Sequence, residues 1–170
     1  MFLGCTSLTS IPSLPATELA NSCYREMFKG CTSLTDTPDL PATELADYCY
    51  YHMFSGCASL TNIPSVLPAT TLYPYCYQAM FDSTAITSVP ANFLPATGMV
   101  ESCYRSMFFG CTSLTSTPNL PALDLAPSCY LQMFSGCTSL TSTPNLPATG
   151  LANFSYYCMF SDCSSLISAC

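Results

Sequence analysis

The sequence predicts an α/β repeat fold, a right-handed solenoid with one short parallel strand and one short helix in each 26–27-residue turn. Three observations carry this expectation. Met-Phe recurs at Met1, Met27, Met53, Met80, Met107, Met133 and Met159, so the chain repeats itself every 26 or 27 residues. The Pro of each Leu-Pro-Ala precedes the next Met by twelve residues throughout, from Pro15 to Met27 as from Pro147 to Met159. Each period also joins one apolar stripe to one segment rich in β-branched residues. The 170 residues thus read as a single array of six turns plus a partial seventh.

Within the constant half, Leu19, Ala20, Cys23, Tyr24, Met27 and Phe28 recur four apart in pairs, with Asn21, Ser22, Arg25 and Glu26 between them. This predicts one stripe of an amphipathic helix over about Asn21 to Phe28. Gly30 stands where a helix would end in a left-handed residue, and Gly56, Gly110 and Gly136 repeat it. Asp47, Pro74, Pro127 and Asn153 replace Asn21, and all are first-turn types. In the other half Leu8, Ile11 and Leu14 are spaced by three, which fits a strand of a few residues bending at Pro12. Proline cannot donate to a ladder, so pairing should stop there, with strands near Leu8, Leu34, Leu60, Ile86, Leu114 and Leu140. Insertions at Pro64–Pro68 and Pro90–Pro95 map to a loop.

Nearly half of the residues are apolar and 8% are charged, yet no apolar run approaches the roughly eighteen residues that span a bilayer. Ten acidic residues against Arg25, Lys29 and Arg105 give a net charge of -7, which argues against a nucleic-acid partner. No secretory signal opens the chain, and Met1-Phe2 already belongs to a repeat, so a piece of a longer protein is expected.

The order Met53-Phe54, Cys57, Leu60, Ile63, Leu67-Pro68 resembles the BspA-like (Treponema-type) leucine-rich repeat of bacterial surface proteins, and the likeness covers essentially the whole chain. The Met-Phe, the Cys-Tyr pair and an extra Pro depart from that pattern. The resemblance implies a secreted or surface-attached protein that binds host or microbial partners, and it supplies no catalytic residues.

Of thirteen cysteines, two columns account for most: Cys5, Cys31, Cys57, Cys111, Cys137 and Cys163, and Cys23, Cys49, Cys76, Cys103 and Cys129. No zinc-type spacing occurs. Thr84 interrupts the first column while Cys76 and Cys103 remain, and Ser155 interrupts the second while Cys137 and Cys163 remain. Independent losses favour free thiols packed as small buried residues over paired disulfides. His52, the one histidine, is read as an exposed spectator, and the Met and Tyr columns as core. No catalytic constellation, cofactor loop or metal motif is visible, so the chain reads as non-enzymatic.

Specificity should then lie at the positions that vary. Asp36, Asp39, Asn62, Asn119 and Asn145 flank the repeated proline as a polar strip on the strand side, the preferred partner-binding face, with Phe93 in the longest loop as its apolar anchor. Tyr48, Tyr51 and Tyr75 form the rival patch on the helix side. The leading expectation is an adhesion module for a protein or glycan partner. The alternatives are a structural solenoid assembling end to end and an ice-binding array of regularly spaced threonines such as Thr115 and Thr117.

Overall fold

The computed structural model describes residues 1–167 and contains no helix and no named strand among them. The repeat stacks as expected, but each 26–27-residue rung is built from β-turns, so the chain is not an α/β leucine-rich-repeat solenoid. The expected helices are replaced by ribbons of consecutive turns at residues 21–30, 47–56, 74–83, 101–110, 127–136 and 153–162.

The hydrogen bonds of one ribbon show why. Along residues 48–57, alternate N–H groups donate within the ribbon to the carbonyl three residues back: Cys49 to Ala46, Tyr51 to Tyr48, Met53 to Tyr50, Ser55 to His52 and Cys57 to Phe54. The intervening N–H groups donate to the next rung: Tyr48 to Pro74, Tyr50 to Cys76, His52 to Gln78, Phe54 to Met80 and Gly56 to Asp82. The carbonyls of Asp47, Cys49, Tyr51, Met53 and Ser55 accept from the preceding rung. Every amide of the ribbon is therefore paired without helix or sheet.

This alternation needs a left-handed residue at every fourth position. Ser22, Glu26 and Gly30 have φ of 58°, 53° and 72°, and Tyr48, His52 and Gly56 repeat them at 58°, 50° and 72°. Each is the third residue of a β-turn, where a type II turn requires positive φ. The turn closed by Cys76 N–H on Tyr73 has Pro74 and Tyr75 at its centre, and that closed by Cys129 on Ala126 has Pro127 and Ser128. Pro and Asn fit the second position of such a turn, so the residues read as helix starters are turn formers. The apolar stripe misled for the same reason. Its period is four, and the helical i+3 partners of Leu19 and Cys23 are the polar Ser22 and Glu26.

The strands are also corrected. In the segments where strands were expected, parallel bridges form at two rung junctions only, Asp36 with Asn62 and Ser88 with Ser116, and none of the bridges among the described residues involves the segments at Leu8 or Leu140. Two more, Glu18 with Glu44 and Asp124 with Gly150, lie beyond the prolines. Prolines at Pro38, Pro64, Pro90 and Pro118 keep the ladder from lengthening.

The core lies between ribbon and proline side. Phe2, Phe28, Phe54, Phe81, Phe108, Phe134 and Phe160 stack in one column with centroids 5.4–5.8 Å apart and planes within 10°. Tyr24, Tyr50, Tyr77, Tyr104, Tyr130 and Tyr156 form a second at 5.5–6.1 Å. Leu34, Leu60, Ile86, Leu114 and Leu140 are fully buried in a third. Phe93 is buried too, its ring 6.1 Å from Phe81 and 6.3 Å from Phe108. It fills the core beneath the longer loop and is not a rim anchor.

Two glycines separate backbone strain from crowding. At Gly56 an added Cβ meets nothing nearer than 3.8 Å, whereas at Gly136 it meets the Gly110 Cα at 3.3 Å; both have positive φ. Gly56→Ala is expected to cost about 1–2 kcal/mol from φ alone, and Gly136→Ala more, in urea unfolding of the two variants. A stabilised Gly56→Ala would contradict the left-handed position, and equal costs would contradict the close approach of Gly110 at Gly136.

Candidate functional site

The two candidate faces use their side chains differently. On the proline side Asn62 Nδ2 donates to Asp36 Oδ1 at 2.6 Å and Thr35 Oγ1 donates to Oδ2 at 2.5 Å. These bonds hold the exposed Asp36 carboxyl below its ordinary value. Asp36 and Asn62 are thus brought together and spent on each other across the bridge between their rungs. Asp39 is exposed beside a shallow hollow of about 160 Å³ that includes Pro41 and Val66. Asn119 is held through its N–H to the Ala91 carbonyl, and Asn145 is exposed at the far end of the strip. The structure does not gather these residues into one site. Thr115 and Thr138 donate their hydroxyls to the Thr87 and Thr112 carbonyls, which takes those threonines out of any free hydroxyl array.

On the outer face of the ribbons the three tyrosines do meet. Tyr48 and Tyr75, at equivalent positions of successive rungs, stack at 4.6 Å with planes 3° apart, and Tyr51 meets Tyr48 edge-on at 5.7 Å. The Arg25 guanidinium lies 4.8 Å from the Tyr51 ring centre and 5.8 Å from that of Tyr48, within cation–π range. Tyr75 donates its hydroxyl to Glu101 at 2.8 Å, which raises the phenol's pKa. All three tyrosines are half-buried and packed on one another, which restricts their rings while leaving part of each exposed.

His52 continues this face and is no exposed spectator. It is half-buried with its ring 4.3 Å from Tyr51, and desolvation, followed by the charge of Lys29, lowers its pKa. Its Nδ1 is buried without a hydrogen-bond partner, as is Oε1 of Gln78 in the next rung. Such orphaned groups cost about 1–3 kcal/mol each and are few in native structures. His52 and Gln78 line a surface hollow of about 230 Å³ together with Asp82, Arg105, Phe109 and Gln132. Sequence reasoning missed this group because its members lie in three separate rows; the one signal was the shrinkage of the Glu26, His52, Gln132 column to Ala79 and Ser106 in its middle.

The described cysteines are all free; Cys170 lies outside the described residues. Their first column does more than fill space. The thiols of Cys31, Cys57, Cys111, Cys137 and Cys163 donate to the carbonyls of Phe2, Phe28, Phe81, Phe108 and Phe134, one rung earlier, at 3.1–3.2 Å. Thr84 keeps a donor there, with Oγ1 2.9 Å from the Phe81 carbonyl of its own rung and 3.3 Å from the Cys111 sulfur. This explains why the column could change at Thr84 without a partner cysteine changing. Burial pushes Cys57 and Cys103 up to about 12 and Cys49, Cys111 and Cys129 up to about 11, so these thiols stay protonated donors. Among the described residues no three His, Cys, Asp or Glu side chains group as metal ligands would, and no helix is long and apolar enough to cross a membrane.

Comparison of the chain with protein-family models, curated proteins and solved structures finds no match.

The raised thiol values fix a pH dependence. The protonated thiol is favoured by folding, so its contribution is complete below the ordinary value of 9.0 and is lost as pH rises toward the folded values of about 11–12. Melting temperature is expected to hold from pH 7 to 8 and fall steadily above 9. In alkylation at pH 8 the exposed Cys5 and Cys23 should react fast and buried Cys57, Cys111 and Cys137 only on unfolding. Ready labelling of the buried column in the folded protein would contradict the packing.

Proposed function

We propose that this chain is a non-enzymatic binding module of a bacterial surface protein, and that it holds a protein partner on the outer face of its ribbons at Tyr48, Tyr51 and Tyr75. The supporting observation is the Tyr48–Tyr75 stack at 4.6 Å with Arg25 over Tyr51. Aromatic and Arg side chains dominate binding energy where they are already fixed, because little rotamer freedom remains to be lost on association. The rival strip around Asp36 is the weaker choice. Asp36 and Asn62 are satisfied by each other and by Thr35, and the inner curve that would have made strand-side residues converge belonged to the α/β fold that is not formed.

Extracellular placement is part of the proposal and is only what the resemblance to BspA-like repeats implies; the fold offers a reason why such a surface can vary. Ribbon backbones bind rung to rung without using outer side chains, so outer positions can change while the scaffold stays. A second reading is structural. The five ribbons from 21–30 to 127–136 donate to the following rung, and the ladder runs in one direction throughout, so copies joined through their ladders can join only head to tail.

The test uses Tyr48→Ser/Tyr51→Ser and, separately, Asp36→Ala/Asp39→Ala against immobilised extracellular-matrix and bacterial surface proteins. The tyrosine variant is expected to bind at least about tenfold more weakly, consistent with loss of a hot spot, while the aspartate variant stays within about twofold. Loss confined to the aspartate variant would move the site to the proline side. No binding by the parent chain, with concentration-dependent growth in light scattering, would favour the structural reading.

A further inference from the structure

Beside the tyrosines, and made of different residues, lies a hollow whose chemistry is mixed. The left-handed position in the middle of each ribbon carries Glu26, His52, Ala79, Ser106, Gln132 and Cys158 in successive rungs. Between His52 and Gln132 the side chains shrink to a methyl and a hydroxymethyl, and the gap that results is the hollow of about 230 Å³. That is below the range of about 300–1,000 Å³ that suits drug-sized ligands, and it suits a single small ring.

The walls supply donors, acceptors and one apolar edge. Arg105 has five N–H donors and no ion pair; among the described residues the ion pair found is Lys29 with Glu26. Asp82 accepts from Ser55 Oγ at 3.1 Å and Ser83 Oγ at 2.6 Å. A carboxylate has about four lone-pair sites, so acceptor capacity remains. Gln132 adds an amide, and Phe109, 37% exposed, adds a ring. Two of the three orphaned buried side-chain atoms among the described residues, His52 Nδ1 and Gln78 Oε1, are turned inward on residues that line this hollow; the third, Tyr77 Oη, is in the core. A half-turn of either flat group exchanges its buried atom for an outward one with little change of shape.

We infer that this hollow binds one sugar ring. The charges of Arg105 and Asp82 offset each other, so a simple anion or cation would satisfy one wall and be repelled by the other. A ligand that fits must offer donors and acceptors at close spacing together with an apolar face. Neighbouring ring hydroxyls do this, each donating to Asp82 or, once its amide has made that half-turn, to the Gln78 carbonyl and accepting from Arg105 or Gln132, while the C–H face of the ring packs on Phe109. The inference does not rest on the tyrosine patch.

The experiment is saturation-transfer NMR and calorimetry on the whole chain with glucose, galactose, mannose, N-acetylglucosamine and N-acetylneuraminic acid, and with glycine and alanine as zwitterions. At least one sugar is expected to bind saturably in the millimolar range or tighter. Ser106→Gln fills the hollow with a residue type that the same column already holds at Gln132, and Gln132→Ala removes a wall. Each should weaken sugar binding at least tenfold, while Leu151→Ser, at an exposed residue outside the hollow, leaves it unchanged. Circular dichroism and melting curves establish which variants fold; if Ser106→Gln does not, Gln132→Ala and Arg105→Gln carry the comparison. Binding of the zwitterions but no sugar, no binding at all, or sugar binding that survives every folded hollow variant would overturn the inference.

Discussion

The structure depends on one arrangement of backbone amides. Along each ribbon alternate N–H groups close tight turns, and those between reach the next rung. Both sets cannot be satisfied by a chain of right-handed residues. The peptide planes must turn over twice in eight residues, and the left-handed residues at Ser22, Glu26 and Gly30 and their equivalents do this. A non-glycine residue pays for that conformation in steric strain of about 1–2 kcal/mol. Fourteen described non-glycine residues nevertheless adopt it, and none is Val, Ile or Thr, although threonine is abundant in this chain. Branching at Cβ is what the left-handed region tolerates least.

Once the amides set the spacing between rungs, the rest of the core follows. Side chains four apart along a ribbon return to the same side, so Tyr24 and Phe28 and their equivalents stack upon themselves through the whole molecule. The first-column thiols reach back one rung to a carbonyl that already accepts a ribbon amide, as Cys57 does at Phe28, and give that oxygen a second donor. The fold is therefore held by columns rather than by packed layers. The outer side chains take little part in this, and that leaves the tyrosine cluster and the His52 hollow free to differ from rung to rung.

Much of this was legible in the sequence. The period, the columns and the proline that limits pairing follow from spacing, because stacking puts like residues on like, and the free thiols follow from the independent losses at Thr84 and Ser155. The helix did not follow, since a period of four lies close to 3.6 and Gly30, Pro74 and Asn21 suit a helix terminus as well as a type II turn. The discriminating signal was available: Ser22 and Glu26 stay polar where a helix would want apolar i+3 partners, and their column avoids β-branched residues. Phe93 was misplaced because a loop insertion says nothing about which way its side chain points. The tyrosines could be found from substitutions in adjacent repeats, whereas the hollow is made by small residues, Ala79 and Ser106, and bulk that is missing leaves no motif.

The most direct test of the alternating ladder is the measurement of scalar couplings across hydrogen bonds by NMR on the labelled protein. Couplings are expected from the Tyr104 amide nitrogen to the Cys129 carbonyl carbon and from Phe108 to Met133, with Cys103 coupled to Val100 and Met107 to Tyr104. Couplings from each of these amides to the carbonyl four residues earlier, the pattern of an α-helix, would contradict the account.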